Sequence, residues 1–281
     1  FNVEPTSDSR MSYRYSALSP EQQKVVDNYS NIVKEISNID IIDAEDVEQF
    51  ANNKEIGTFL VNKTKEIQEK YNINLKRPSK GYTEEQIEII SDIISREATS
   101  ELLGNPKNAG AWYSENMENA VVLIGEIYPE ILSDIDARTS FVTALAITSN
   151  GQTPKSNLKY AIEVYNFYKK NGRFPESESE FNSAGSVSEA MREGFLKYNS
   201  IVTKYGLKDA NQFLNTKFKV GDLQQILGYE IAGENTDQSV PGSAMFGPKV
   251  GGAFYPNLQG EYSYVTMDRW FMRTLGRITG E

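Results

Sequence analysis

Cysteine and histidine are both absent from this 281-residue chain. Without cysteine there is no disulfide framework and no cysteine-ligated iron–sulfur cluster. Without either residue there is no zinc site of the usual Cys/His kind. Ser-His-Asp and Cys-His catalysis are excluded as well, because the imidazole base is missing. An oxygen-ligated metal remains chemically possible, but no residue pattern calls for a metal or any other cofactor. Long apolar runs are missing too: none approaches the roughly 18 to 20 residues that cross a bilayer, so no membrane partner is expected. The start Phe1-Asn2-Val3-Glu4-Pro5 has neither the basic region nor the apolar core of a signal peptide. A cytoplasmic setting is therefore expected, and a start at Phe1 fits a processed chain. Lysine, carboxylates, tyrosine, serine, threonine and arginine are the catalytic groups that remain.

What is present is ordinary for a globular protein: 39% hydrophobic and 24% charged residues. The length can bury a sizeable core, in one large domain or two small ones. The net charge of -10 runs against the basic footprint of most nucleic-acid binders. It is unevenly placed. Residues 1–140 carry 14 lysines and arginines against 25 acidic residues, whereas residues 141–281 carry 15 against 14. The acidity belongs to the first half, and DNA contact by the second half stays open.

Helical periodicity dominates the chain, and the fold class expected is all-α. Residues 1–17 read as a flexible arm, 18–105 as an N-terminal helical region and 106–281 as a second domain. Ser19-Pro20 suits an N-cap followed by the first helical position, and Val25, Val26, Tyr29, Ile32, Val33 and Ile36 recur at helical spacing. Thr83-Glu84-Glu85-Gln86 is a capping box that opens a helix with Ile87, Ile89, Ile90, Ile93 and Ile94 as its apolar stripe. Further helices are predicted at about 44–51, 55–72, 114–131, 134–148, 154–171, 185–204 and 218–228. Thr153-Pro154 starts one of them and Asn171-Gly172 stops it. No alternating strand pattern with hairpin turns competes. Tyr160, Val164, Tyr165, Phe167 and Tyr168 read as packing positions rather than a base-stacking platform. The Glu176-Ser177-Glu178-Ser179-Glu180 run reads as a solvated loop or helix start rather than a metal site.

The segment that carries chemistry is Val240-Pro241-Gly242-Ser243-Ala244-Met245-Phe246-Gly247-Pro248-Lys249-Val250-Gly251-Gly252, continuing to Tyr264-Val265-Thr266-Met267-Asp268-Arg269-Trp270-Phe271-Met272-Arg273-Thr274-Leu275-Gly276-Arg277. A glycine-rich turn opens a helix at Lys249, where backbone N–H groups can receive a phosphate. A second helix begins near Thr266 and Asp268, with Arg273 and Arg277 on one face. On spacing alone, Thr266 or Asp268 is simply an N-cap.

The same residues resemble the helix-hairpin-helix DNA glycosylase/AP lyase superfamily, particularly members encoded by phages and mobile elements. The matching features are a hairpin ending in Gly247-Pro248-Lys249, an aspartate 19 residues later, and arginines five and nine residues beyond it. The resemblance implies that Lys249 opens the second hairpin helix and that Asp268 faces it across a cleft. Lys249 would be the amine that displaces a damaged or modified base through a Schiff base, with Asp268 stabilising the oxocarbenium-like sugar. Phe246, Phe254 and Trp270 would make the environment apolar enough to favour the neutral amine. Gly247, Arg273 and Arg277 would contact DNA. Gln152 and Asn157 would do so too, through a polar loop that echoes the family near Leu145–Gln152. The chain departs from the family's Gly-x-Gly-x-Lys hairpin at Met245, which occupies the first glycine position. Two other readings stay open: a non-catalytic DNA-contacting or virion-associated structural protein, and an unrelated helical scaffold.

Overall fold

The structure, a computed structural model, describes residues 16–39, 50, 52–104, 122–181, 188–231 and 236–281. It is mainly helical, as periodicity predicts, and the one sheet among the described residues has two strands. Among those residues no helix is long and apolar enough to cross a membrane. The chain divides into two compact units, residues 1–111 with 269–281, and residues 112–268. The break at 268/269 takes the last helix out of the 106–281 domain expected from the sequence and groups it with the N-terminal helices. The expected helix at 44–51 and most of the expected arm lie outside the described residues.

The first unit is built from α1 (Pro20–Ser37), α2 (Asn53–Lys70), α3 (Glu84–Gly104) and the C-terminal helix Arg269–Thr279. Ser19 caps α1 in a capping box with Gln22, and Thr83 and Gln86 exchange the same two hydrogen bonds ahead of α3. Ile32, Val33 and Ile36 meet Ile89, Ile90 and Ile93 around Leu75 and Ile278. Ile87, by contrast, turns outward at 50% exposure. Each aliphatic side chain so buried contributes about 1.5 to 3 kcal/mol of transfer free energy.

The second unit is arranged around one buried helix. A helical segment at 122–127 and the short α4 (Glu130–Ser133) precede α5 (Ile135–Thr148), of which nine of 14 residues are buried. A helix covered on every side needs apolar residues all round or polar ones that satisfy themselves. Here Ser140, Thr143 and Thr148 each donate to the carbonyl four residues earlier. Around it pack α6 (Pro154–Asn171), α7 (Glu189–Tyr205) and α8 (Leu207–Asn215). Tyr128 and Pro129 interrupt the helix predicted at about 114–131, of which 114–121 lies outside the described residues. Helix α8 was not expected at all.

The last part of this unit carries the candidate site. Strand β1 (Lys217–Lys219) leads into α9 (Val220–Leu227), and β2 (Ser239–Pro241) returns antiparallel with Lys217 opposite Pro241. That pairing delivers the chain to a 3₁₀ turn at Gly242–Phe246. A π-helical turn at Val250–Phe254 follows, then α10 (Tyr255–Leu258) and, in the first unit, α11 (Arg269–Thr279).

Candidate functional site

Two glycines let the hairpin close. Gly242 donates its N–H to the Thr216 carbonyl at 2.8 Å, and a Cβ there would lie 2.1 Å from the Phe213 carbonyl oxygen. At Gly251 a Cβ would lie 1.6 Å from the Ser243 carbonyl oxygen. Between the two short helical turns, Gly247 takes a φ of +100, a region that L side chains rarely enter. Its carbonyl receives the N–H groups of both Gly251 and Gly252. The tip is Pro248-Lys249, and both residues are exposed.

Met245 is the residue at which the sequence departs from the Gly-x-Gly-x-Lys pattern. Its side chain is buried in the core beside Tyr255 and Leu214 rather than pointing into the turn. The position serves packing.

Lys249 stands exposed at the hairpin tip and forms no ion pair among the described residues. Of the three aromatic residues expected around its amine, two are described. Phe246 and Phe254 pack against the core of the unit, and the side chain of Trp270 lies outside the described residues. Asp268 is half-buried and directly precedes α11; its N–H donates to the Thr266 carbonyl at 2.8 Å. Spacing gave no hint of the tie between these regions. Asn257 Nδ2 donates to Thr266 Oγ1 at 3.0 Å, linking α10 to the residues just before Asp268.

Buried Tyr255 anchors α10 from below, accepting from Gln259 Nε2 and donating to Asn215 Oδ1. Burial pushes its phenol up to about 12, so it serves as a neutral hydrogen-bonding post. On the outer side, Lys217 Nζ lies 5.5 Å from the centre of the Tyr264 ring. Glu261 is held below its ordinary range by the Ser263 hydroxyl first and by Lys217 second. The sequence did not pair Lys217 with Tyr264, because 47 residues separate them and Lys217 lies outside the quoted segment.

The remaining predicted contacts divide by exposure. Gln152 is half-exposed in the turn between α5 and α6. Asn157 is buried, with its Oδ1 accepting from Thr148 Oγ1 at 2.6 Å, so it closes that turn from inside. Arg273 is exposed. Arg277 is buried and donates to Glu97 Oε2 at 2.6 Å, which makes it a core ion pair of the N-terminal unit rather than a surface cation. The Glu176–Glu180 run folds as a capped 3₁₀ turn whose Glu180 pairs with Arg173.

Comparison with known proteins finds no matching family model, no matching curated protein and no matching solved structure.

Proposed function

We propose that the second half of the chain carries a DNA-directed base-excision site of helix-hairpin-helix glycosylase/lyase type, with Lys249 as the amine and Asp268 as the carboxylate. The observation that supports it most is the hairpin tip: a tightly closed, glycine-dependent turn that presents one unpaired lysine to solvent. A phosphate backbone docks on such a turn through N–H groups and a point charge, without a broad basic field. That suits a half-chain with 15 basic against 14 acidic residues.

In this reading the target nucleotide is flipped out of the duplex at a cost of a few kcal/mol. Attack requires the neutral amine, since only a free lone pair can bond to carbon. The amine lone pair forms a bond to the sugar C1′ while the glycosidic C–N bond breaks, and its electron pair leaves with the base, which takes up a proton. Loss of the amine proton and opening of the ring give a Schiff base, from which β-elimination expels the 3′ phosphate. Asp268 stabilises the positive sugar and carries the protons.

A second reading is favoured by one observation. The amine is exposed and the two nearby phenylalanines serve the core, which is what a non-catalytic DNA-contacting or virion-associated module would show. Borohydride trapping with a panel of lesion-containing duplexes separates the two. The excision reading expects a covalent complex on at least one lesion. DNA binding with no trapped complex on any of them selects the structural module.

A further inference from the structure

A second feature of residues 112–268 has no part in that chemistry. Helix α7 and the end of α9 enclose a groove of about 280 Å³. Leu196 and Tyr205 form one wall and Ile226 and Tyr229 the other, each at least 36% exposed. Ile201 and Met245 close the floor and are almost fully buried. Met245 is the residue that breaks the hairpin motif, and a methionine floor adapts readily to irregular apolar side chains.

The groove is also charged in one sense only. Lys197 and Lys204 line it, and among the described residues no carboxylate does. The Lys197 ammonium lies 5.0 Å from the centre of the Tyr229 ring, and that of Lys204 lies 4.9 Å from the centre of Tyr205. Neither lysine pairs with a carboxylate among the described residues, although the chain carries a net charge of -10. Seven residues apart on one helix, the two ammoniums stand about 10 Å apart along its axis. An apolar trough flanked by two cations two turns apart is complementary to an amphipathic helix with carboxylates at the same interval.

The same contacts argue against a nucleic-acid strand in this groove. Base stacking needs open aromatic faces. Tyr205 is stacked on Phe213 and also carries Lys204, while Tyr229 is covered by Lys197. Phe213, which also lines the groove, is itself packed against Tyr205 and Phe218.

We infer that the α7–α9 groove is a docking site for an acidic amphipathic helix of a partner protein, seated by apolar anchors over Ile201 and Met245 and registered by carboxylates on Lys197 and Lys204. The probe is a fluorescein-labelled helical peptide of Leu, Ala and Glu, with leucines one turn apart and two glutamates two turns apart. Its partners in the test are the same peptide with Lys for Glu and a fluorescein-labelled oligothymidylate. Fluorescence polarisation with the full chain should show saturable binding of the acidic peptide only. The double variant Lys197→Glu/Lys204→Glu should weaken it by about tenfold or more and gain affinity for the lysine peptide. Ile226→Asp, at an exposed wall position, should weaken binding of the acidic peptide, with an unchanged circular-dichroism spectrum showing that each variant folds. Equal binding of the two peptides, no saturable binding, or oligothymidylate occupying the groove in a manner sensitive to Ile226→Asp would overturn the inference. The result is independent of Lys249 and Asp268, so it stands or falls apart from the excision reading.

Discussion

Ser243 donates its hydroxyl to the Gly251 carbonyl at 2.6 Å, while the backbone oxygen of the same serine stops a Cβ at position 251 from fitting. The two residues thus hold the hairpin shut from both sides of one contact. Gly251→Ala should force the two turns apart and cost about 3 kcal/mol, the upper range for overpacking. Urea unfolding measures this directly. A loss below about 1 kcal/mol would mean that the turns have room to spare and that the hairpin is not closed in this way.

Arg277 provides a test that separates packing from recognition. Its side chain is 9% exposed and pairs with Glu97 at 2.6 Å. Removing one partner of a buried pair leaves the other uncompensated, so Arg277→Ala should cost about 3 to 5 kcal/mol. Replacing both residues by Met and Leu should recover most of it. Arg273→Ala, at an exposed site, should leave stability within about 0.5 kcal/mol. Weakened DNA binding in a fully stable Arg277→Ala protein would return that residue to the DNA surface.

Glu180 should titrate unusually low. The Arg173 guanidinium first, and then the backbone N–H groups of Glu176 and Ser177, hold its carboxyl at about 2 against an ordinary 4.5. Because the folded value is depressed, this contribution to stability is complete above pH 4.5 and is lost as the pH falls through about 2. In Arg173→Ala the carboxyl should move upward but stay below 4.5, since the backbone donors remain. Carbon-detected NMR titration of the side chain checks both values. An unchanged Glu180 in that variant would show that the backbone alone sets it.

Much of the helical framework was legible because its signals are local. Ser19-Pro20, Thr83 with Gln86, and Thr153-Pro154 each satisfy their own first turn, and all three do so in the structure. Gly172 ends α6 in the left-handed conformation that its sequence suggests. Helix α8 was legible too, since Leu207, Ala210, Asn211 and Leu214 repeat at helical spacing after Gly206, yet no helix was predicted there. The β1–β2 ribbon was not legible. Three residues pair with three others 20 to 24 positions away, and no turn motif joins them. At the candidate site the motif named residues, but it could not give their burial. Spacing alone put Arg273 and Arg277 on one face, whereas packing left the first outside and took the second into the core.

The central claim is that Lys249 and Asp268 act on one sugar in separable roles. The most direct measurement is single-turnover base release together with borohydride trapping, on a lesion duplex that the wild-type chain attacks. Lys249→Gln should abolish the trapped complex and leave DNA binding nearly intact, because the tip keeps its backbone. Asp268→Asn should slow base release by about 10² to 10⁴-fold, the range for losing a positioned acid–base group. Asparagine also preserves any helix-capping role of that position, so unfolding is not the expected cause. Wild-type rates and full trapping in both variants would contradict the account and leave the hairpin a structural one.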